Sequence, residues 1–176
     1  MIKIHDLPSE NVTPAMLDSF DRSQKTTRIL VNEGGGLTEK EAAFEDRWSL
    51  EKKRELTGHF ARTLADGGAV IVAERENEVI GFAVVEAPAF GEKAVYRELS
   101  FLHVTRPDRG RGIGKRLFQQ AKAAARQMGA ARLYISAHPA VETQRFYRKM
   151  GCVPAQEINE DIYRREPYDI QLETVL

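Results

Sequence analysis

With 176 residues, the chain is long enough for one domain with a substantial core, and its 26 Lys and Arg against 26 Asp and Glu give a net charge of zero, which disfavours general affinity for nucleic acid or an anionic membrane. The single cysteine excludes an internal disulfide framework, and the four histidines show no close metal-ligand spacing, so we expect no bound metal. No apolar run suits a signal peptide or a membrane span, which predicts a cytoplasmic protein.

The first third of the chain, residues 1–68, is predicted to be mainly helical after a short opening strand. Thr13-Pro14 suits the start of a helix that runs to Phe20. The glycines 34–36 indicate a flexible turn, and Thr38–Glu41 has the spacing of a capping box. A further helix is predicted from about Ser49 until glycines end it, with one apolar face that comprises Leu56, Phe60 and Leu64.

The remainder of the chain alternates predicted strands and helices. Apolar runs around a polar turn predict a hairpin, and a third strand precedes a glycine-rich loop and a helix that ends at Gly129. The predicted strands are Ala69–Ala73, Val79–Val85, Val95–Val104, a short strand at Leu133 and Ile135, Cys152–Ile158 and Tyr168–Val175, with a short helix at Glu142–Met150. We therefore expect one α+β domain with a mixed, mostly antiparallel, twisted sheet flanked by helices.

The loop Arg109–Lys115 is the main candidate for a binding site. A glycine-rich turn between a strand and a helix leaves several main-chain N–H groups without partners at the positive end of the helix dipole, where they suit a phosphate. Five cations and one acid lie between Arg106 and Arg116, so the local charge favours a polyanionic ligand. Gly110, Gly112 and Gly114 allow close approach of the backbone, while Ile113 is expected to anchor the turn. The alternative is an ordinary basic surface turn.

Two other phosphate-binding motifs fail on the residues present. A Walker A loop requires Ser or Thr after Gly114-Lys115, where this chain has Arg116. A dinucleotide-binding fingerprint that starts at Gly110 requires Gly or Ala at position 115, which is Lys. Neither motif therefore accounts for the loop.

Arg109, Gly112 and Gly114 fill the signature Arg or Gln, two residues, Gly, any residue, Gly or Ala, and with it the sequence resembles the GNAT superfamily of N-acetyltransferases. The likeness includes the strand Leu99–Val104 before the loop and the motif Phe146–Cys152 beyond it, and it covers about half of the chain. The resemblance implies a GNAT-like fold. It also implies that acetyl-CoA is the co-substrate.

The resemblance implies roles for particular residues. The main chain of Leu102, His103 and Val104 would pair with the pantetheine arm, and the whole loop, Arg109, Gly110, Arg111, Gly112, Ile113, Gly114 and Lys115, would bind the pyrophosphate. Tyr147 would protonate the departing thiolate, unless it is only a packed aromatic side chain beside Phe146. Family members often carry an asparagine seven residues before this tyrosine, where the chain has Ala140, and Ser136, His138, Thr143 and Gln144 are possible replacements.

An amine has to lose a proton before it attacks a thioester. Glu98 is the first choice as proton acceptor, because the histone acetyltransferase branch of the superfamily carries its base glutamate at the same spacing before the loop. The alternatives are that Glu98 is an ordinary surface carboxylate, or that His103 is the base. Strict alternation along the strand puts His103 and Glu98 on opposite faces, although a bulge would reverse this.

The sequence therefore predicts direct acetyl transfer from acetyl-CoA to a primary amine of a small molecule or peptide. The expected organisation is a single domain over residues 1–176, with an acceptor side at 1–68, an acetyl-CoA-binding core at 69–154 and a closing strand within 155–176. A CoA-binding sensor without turnover is the main alternative. Nucleic-acid binding through the basic loop is disfavoured by the neutral total charge, and a homodimer is possible.

Overall fold

The computed structural model describes residues 1–176 and contains a seven-stranded sheet, a separate two-stranded hairpin and four α-helices. The elements in chain order are β1 Lys3–Asp6, β2 Gln24–Glu33, β3 Gly36–Asp46, α1 Leu50–Ala65, β4 Ala69–Arg75, β5 Glu78–Val85, β6 Tyr96–Val104, α2 Ile113–Gln127, β7 Arg132–Ala137, α3 Val141–Lys149, β8 Val153–Pro154, α4 Glu160–Arg165 and β9 Ile170–Val175. The sheet order is β1-β4-β5-β6-β7-β9-β8, and only β6 and β7 run parallel. The predicted fold class is confirmed.

The central strands are buried on both faces because a helix covers each side of the sheet. In β4, Val70 and Val72 belong to the core that includes Phe60 of α1. The alternate residues Ile71 and Ala73 belong to the core that includes α2. The two faces account for the continuous apolar runs in β4 and β5. α1 begins as predicted, because the side chain of its N-cap Ser49 accepts a hydrogen bond from the main-chain N–H of Lys52.

The prediction of a mainly helical first third was wrong. Residues 14–19 form successive turns that bury Leu17 and Phe20, and no α-helix forms there. The capping-box spacing at Thr38–Glu41 lies in strand β3, which forms an exposed hairpin with β2 around Gly34 and Gly35. Cross-strand ion pairs stabilise this hairpin, namely Arg28 with Glu39 and Lys40 with Glu33.

The predicted strand at Cys152–Ile158 was too long. Only Val153 and Pro154 pair with β9, and the chain then forms α4, which the sequence analysis missed. Asn159 caps α4 by accepting a hydrogen bond from the N–H of Ile162, whose side chain packs in a small core with Tyr96 and Tyr134. α4 therefore lies beside the paired ends of β6 and β7.

Candidate active site

A cavity of about 820 Å³ opens where β6 ends and α2 begins. All but one of the residues predicted to bind the cofactor line it, and the exception is Arg111. The lining also contains Tyr147 from α3 and a segment that leads into the hairpin. The residues that matter below are Ser23, Gln24, Leu102, His103, Val104, Arg109, Gly110, Gly112, Ile113, Gly114, Lys115, Thr143 and Tyr147.

The glycine loop has the geometry of an anion-binding site. Gly110 and Gly112 adopt φ values of 78° and 77°, a left-handed conformation that favours glycine. The main-chain N–H groups from Gly110 to Lys115 have no acceptor within the protein, and they surround the first turn of α2. Ile113 is buried in the core and fixes the loop against the sheet. A pyrophosphate would therefore meet a row of free donors at the positive end of a helix.

Some of the cations around the loop have no carboxylate partner, whereas others are paired with Asp108. Arg106, Lys115 and Lys149 line the cavity, which supports a polyanionic ligand. Arg111 lies instead 3.3 Å from the carboxylate of Asp108, which is buried and also accepts two hydrogen bonds from Arg75. Asp108 thereby ties the loop to the end of β4 and offsets part of its positive charge.

Arg109 joins two segments of the cavity wall through hydrogen bonds. Its guanidinium donates to the main-chain carbonyls of Val104, Ser23 and Arg22, at 2.9, 2.8 and 3.2 Å. Burial lowers the pKa of Arg109 first of all, while the charge of Asp21 raises it. Since its donors are already used within the chain, this residue positions the segment 22–25 against the end of β6. Any contribution of Arg109 to phosphate binding would come through its charge and its main-chain N–H.

β6 and β7 pair only at their beginnings and then separate. Their parallel register covers Tyr96–Glu98 opposite Arg132–Tyr134, and the edge of β6 beyond Glu98 has no strand partner on the β7 side. The free edge from Leu99 to Val104 leads to the glycine loop. An extended ligand segment can therefore pair with this edge as an added strand, which is the arrangement expected for a pantetheine arm.

Tyr147 lies on α3 at the cavity, packed against Phe118 and Phe146. Burial, with smaller contributions from Cys152 and Asp169, raises the pKa of its hydroxyl above the ordinary value, so Tyr147 stays protonated at neutral pH. Ala140 supplies no side-chain cap to α3, and Gln144 is engaged by the carbonyls of Ala137 and His138. Of the four polar substitutes for the missing asparagine, only Thr143 lines the cavity.

Glu98 lies outside the cavity lining, at the point where β6 and β7 separate. Its carboxylate accepts a hydrogen bond of 2.5 Å from Arg165 of α4. Burial raises the pKa of Glu98, while the charge and hydrogen bond of Arg165 lower it, and the net direction is upward. Glu98 is thus a half-buried, paired carboxylate near the cleft.

The expectation that His103 and Glu98 lie on opposite faces was wrong, because β6 carries a bulge. Val84 pairs with Phe101 and Val85 with Leu99, which leaves Ser100 without a partner. Leu99 packs beneath α2, whereas Phe101 packs on the α1 side. Glu98 and His103 therefore both lie on the α1 side.

His103 packs edge-on against Trp48, with ring centroids 4.9 Å apart. Burial lowers the pKa of His103 well below its usual range, and the charges of Arg22 and Arg109 lower it further. The neutral imidazole is therefore a weak proton acceptor, which argues against the alternative that His103 is the base.

Two carboxylates near the cleft were not singled out from the sequence. Asp169 precedes β9 and accepts a hydrogen bond from Ser136 at 3.1 Å. Burial, together with the charges of Glu166 and Asp46, raises the pKa of Asp169 to about 6 despite that hydrogen bond. Glu86 follows β5 and accepts hydrogen bonds from His59, Ser100 and Thr63. Only the tertiary structure brings these groups together.

Three further features concern the reactivity of the cysteine, metal binding and membranes. Burial raises the pKa of the Cys152 thiol to about 12, so the thiol stays protonated at neutral pH. No group of three or more His, Cys, Asp or Glu side chains is arranged to hold a metal ion. None of the helices is long and apolar enough to span a membrane.

Comparison with known proteins matches residues 37–152 to the acetyltransferase (GNAT) family model. No curated protein sequence resembles the chain significantly. The fold is similar to that of nourseothricin acetyltransferase, with a TM-score of 0.71 and 16% identity over 99% of this chain and 98% of that one.

Two further solved structures are ligand complexes. A Bacillus anthracis str. Ames protein named as a streptothricin acetyltransferase, in complex with acetyl coenzyme A, matches with a TM-score of 0.70 and 18% identity over 100% of this chain and 98% of that one. The PaiA N-acetyltransferase of Thermoplasma acidophilum, in complex with coenzyme A, matches with a TM-score of 0.60 and 14% identity over 100% and 99%. At these identities the structural likeness establishes the fold alone.

Proposed function

The chain belongs to the acetyltransferase (GNAT) family, and we propose that it transfers the acetyl group of acetyl-CoA directly to a primary amine of a small molecule or peptide. One arrangement carries this proposal. The free edge of β6 leads from a glycine loop with unpaired N–H groups toward the region beside Tyr147. A single elongated ligand with a pyrophosphate at one end and a thioester at the other fits this arrangement.

The proposed binding mode assigns each part of the cavity to a part of acetyl-CoA. The N–H groups of Gly110–Lys115 hold the pyrophosphate, with Arg106 and Lys115 contributing charge. The main chain of Leu102–Val104 pairs with the pantetheine arm. A main-chain N–H near Val104 stabilises the negative charge that develops on the thioester oxygen. The N-terminal part, residues 1–68, covers the acceptor side.

In the proposed reaction the neutral amine attacks the thioester carbonyl. A C–N bond forms, the C–S bond breaks, and the amine gives up one proton while the thiolate takes one up. Tyr147 donates the proton to the thiolate, as its neutral hydroxyl allows. Glu98 is the proposed acceptor of the amine proton, which requires its ion pair with Arg165 to open. Asp169 is a second candidate, since it has no cationic partner.

The alternative proposal is a sensor that binds acetyl-CoA without turnover. Both proposals require cofactor binding, so the first experiment measures the affinity for acetyl-CoA by isothermal titration calorimetry. Gly112→Val and Gly114→Val should weaken binding strongly, because residue 112 has a left-handed backbone and a Cβ added at residue 114 would lie 3.4 Å from the ring of Phe146, which leaves no room for the larger Val side chain. Gly36→Val on the exposed hairpin is the matched control. Full binding by both loop variants would contradict the assignment of the cavity.

Turnover separates the enzyme from the sensor. Release of CoA is measured with polyamines, amino acids, aminoglycosides and lysine peptides as acceptors. An enzyme acetylates at least one class of amine, and Glu98→Gln and Tyr147→Phe slow it without weakening cofactor binding. Tight binding without acetylation of any amine would support the sensor.

A further inference from the structure

The hairpin meets the sheet over a group of buried polar atoms that have no hydrogen-bond partner. The chain has four such side-chain atoms, and three of them lie here: Nε of Arg22, Oγ1 of Thr26 and Oδ2 of Asp46. Buried polar groups are almost always satisfied in folded proteins, so three unsatisfied atoms in one place leave hydrogen-bonding capacity for a ligand group or for ordered water. We call Arg22, Thr26 and Asp46 the hairpin-base cluster.

Arg22 is a buried guanidinium without a carboxylate partner. The residue is only 8% exposed, and no carboxylate lies within ion-pair distance of it. Its Nη1 donates to the amide oxygen of Gln24, and its guanidinium lies over the ring of Trp48 at 5.5 Å. Burial lowers the pKa of Arg22 and the charge of Arg109 lowers it further, while the charge of Asp46 offsets part of this effect. An anionic ligand group would supply the missing partner.

Asp46 lies near Arg22 without pairing with it. The charge of Asp46 raises the pKa of Arg22, yet the two side chains make no ion pair. Asp46 Oδ2 is 3.2 Å from Nε2 of His138 but makes no well-directed hydrogen bond. Burial lowers the pKa of His138, so this neighbour is neutral at physiological pH. Asp46, whose side chain is 37% exposed, therefore has neutral His138 as its neighbour and no cationic partner within the chain.

Thr26 lies on the same face of the hairpin as Asp46. Gln24 pairs with Asp46 and Thr26 with Phe44, and alternate positions on a strand share a face. Phe44 packs against His138, so this face is directed toward the loop after β7. Thr26 is 1% exposed, and its unpaired hydroxyl can donate and accept a hydrogen bond.

The cluster adjoins the cavity described above. Ser23 and Gln24, which directly follow Arg22, line that cavity, as does His103. His103 contacts Trp48, the ring on which Arg22 lies, and its pKa is lowered in part by the charge of Arg22. A ligand bound at the cluster would therefore lie beside the proposed pantetheine channel and close to the separated strands.

We propose that the hairpin-base cluster binds the acceptor, and that the acceptor is an amino acid, which carries a carboxylate as well as amino groups. Arg22 binds the carboxylate, Asp46 attracts an ammonium group, and Thr26 completes the hydrogen bonding. A zwitterion satisfies both unpaired charges at once, whereas a simple amine leaves Arg22 buried and uncompensated. This inference rests on the proposed acetyl transfer and names the class of acceptor.

The test compares amino acids that carry two amino groups with their decarboxylated counterparts, for example lysine with cadaverine and ornithine with putrescine. The wild-type protein should favour the amino acid by about tenfold or more in kcat/KM, as expected for a charge-assisted contact. Arg22→Met should remove this preference and leave the KM for acetyl-CoA unchanged. Arg28→Met, on the exposed part of β2, is the control and should keep the preference.

Thermal unfolding separates ligand binding from a structural role. Because Arg22 has no charged partner, Arg22→Met should leave the Tm unchanged or raise it, since an apolar side chain of similar size replaces an uncompensated buried charge. A lower Tm with an unchanged preference would overturn the proposal. A higher KM for acetyl-CoA with an unchanged preference would also overturn it, because Arg22 would then serve the cofactor.

The proposed function can fail separately from this inference. If no amine is acetylated, calorimetry with lysine and cadaverine on the CoA-loaded protein replaces the kinetic comparison. Tighter binding of lysine that is lost in Arg22→Met would support an amino-acid site in a protein without turnover. Equal binding of lysine and cadaverine by the wild-type protein would overturn the cluster assignment.

Discussion

The guanidinium of Arg109 donates to the main-chain carbonyl of Ser23 at 2.8 Å, although 86 residues separate the two in sequence. The main-chain N–H of Arg106 also donates to the carbonyl of Asp21, and the N–H of Asp21 donates to the side chain of Thr105. These bonds fasten the segment before the hairpin to the end of β6. The same contacts therefore build one side of the cavity and fix the start of the hairpin.

Arg109→Gln should weaken acetyl-CoA binding because it releases this segment. A hydrogen bond to a charged group contributes about 1.5–3 kcal/mol, so the Kd should rise by roughly ten- to a hundredfold. Calorimetry measures the change. Arg116→Gln, an exposed residue of α2 that does not line the cavity, removes the same charge and should have a much smaller effect. Equal losses in both variants would mean that net charge, and not the anchoring of the segment, governs affinity.

Tyr147→Phe should lower kcat by roughly a hundredfold while acetyl-CoA binds as before, because general acid catalysis typically contributes at least that factor. The raised pKa keeps the hydroxyl protonated well above neutral pH, so the wild-type enzyme should show no alkaline loss of rate from this residue below about pH 9. A stopped-flow or steady-state assay of CoA release tests both statements. An unchanged kcat would leave Tyr147 as a packing residue.

The pH dependence of kcat/KM distinguishes the two candidate proton acceptors. Asp169 has to be ionised to accept a proton, so if it is the base the rate rises with pH through about 6. In that case the rise of kcat/KM with pH should disappear in Asp169→Asn and persist in Glu98→Gln. The opposite pattern would assign the role to Glu98. Three charged or titratable neighbours also affect the pH at which Asp169 ionises, namely Asp46, Glu166 and Tyr147.

Asp169 also predicts a pH-dependent effect on stability. Its pKa in the folded protein, about 6, is above the ordinary value of 3.8, so its stabilising contribution is complete below pH 3.8 and is lost as the pH rises through 6. Asp169→Asn should therefore raise the Tm more at pH 7.5 than at pH 5. Equal shifts at the two pH values would show that the carboxyl titrates normally in the fold.

Glu86→Gln should destabilise the protein at neutral pH. Burial raises the pKa of Glu86, but the hydrogen bonds from His59 and Ser100 outweigh it, and the net shift is downward. Its contribution is therefore present above pH 4.5 and lost as the pH falls further. We expect a loss of about 1–3 kcal/mol in the free energy of unfolding at pH 7, since three donors lose their charged acceptor. Urea titrations measure this loss. Glu55→Gln, at an exposed position on α1, is the control, and the free energy of unfolding of this variant should not change measurably.

The elements that the sequence predicted correctly are those whose signal is local. The apolar face of α2 and the cap at Ser49 are both set by residues within a few turns of one another. The glycine loop is set by backbone conformation, which Gly110 and Gly112 determine by themselves. For these parts, short-range sterics and hydrogen bonding are sufficient.

The elements that were predicted wrongly depend on partners far along the chain. Thr38–Glu41 fits a capping box, but the turn at Gly34 and Gly35 and the cross-strand ion pairs of the hairpin favour a strand. Likewise, α4 lies in a segment with few apolar residues, and it depends on the contact of Ile162 with Tyr96 and Tyr134 and on the ion pair of Arg165 with Glu98. Local propensity is a weak guide where tertiary contacts decide.

The sequence by itself determined that a basic glycine loop with the features of an anion site lies between a strand and a helix, because consecutive residues set both the conformation of the loop and its charge. Only the tertiary structure decided which charges are free. It paired Glu98 with Arg165, turned Glu98 and His103 to one side through the bulge at Ser100, and left Arg22, Asp46 and Asp169 without ionic partners. Those outcomes depend on burial and on contacts between distant segments, which spacing along the chain does not encode.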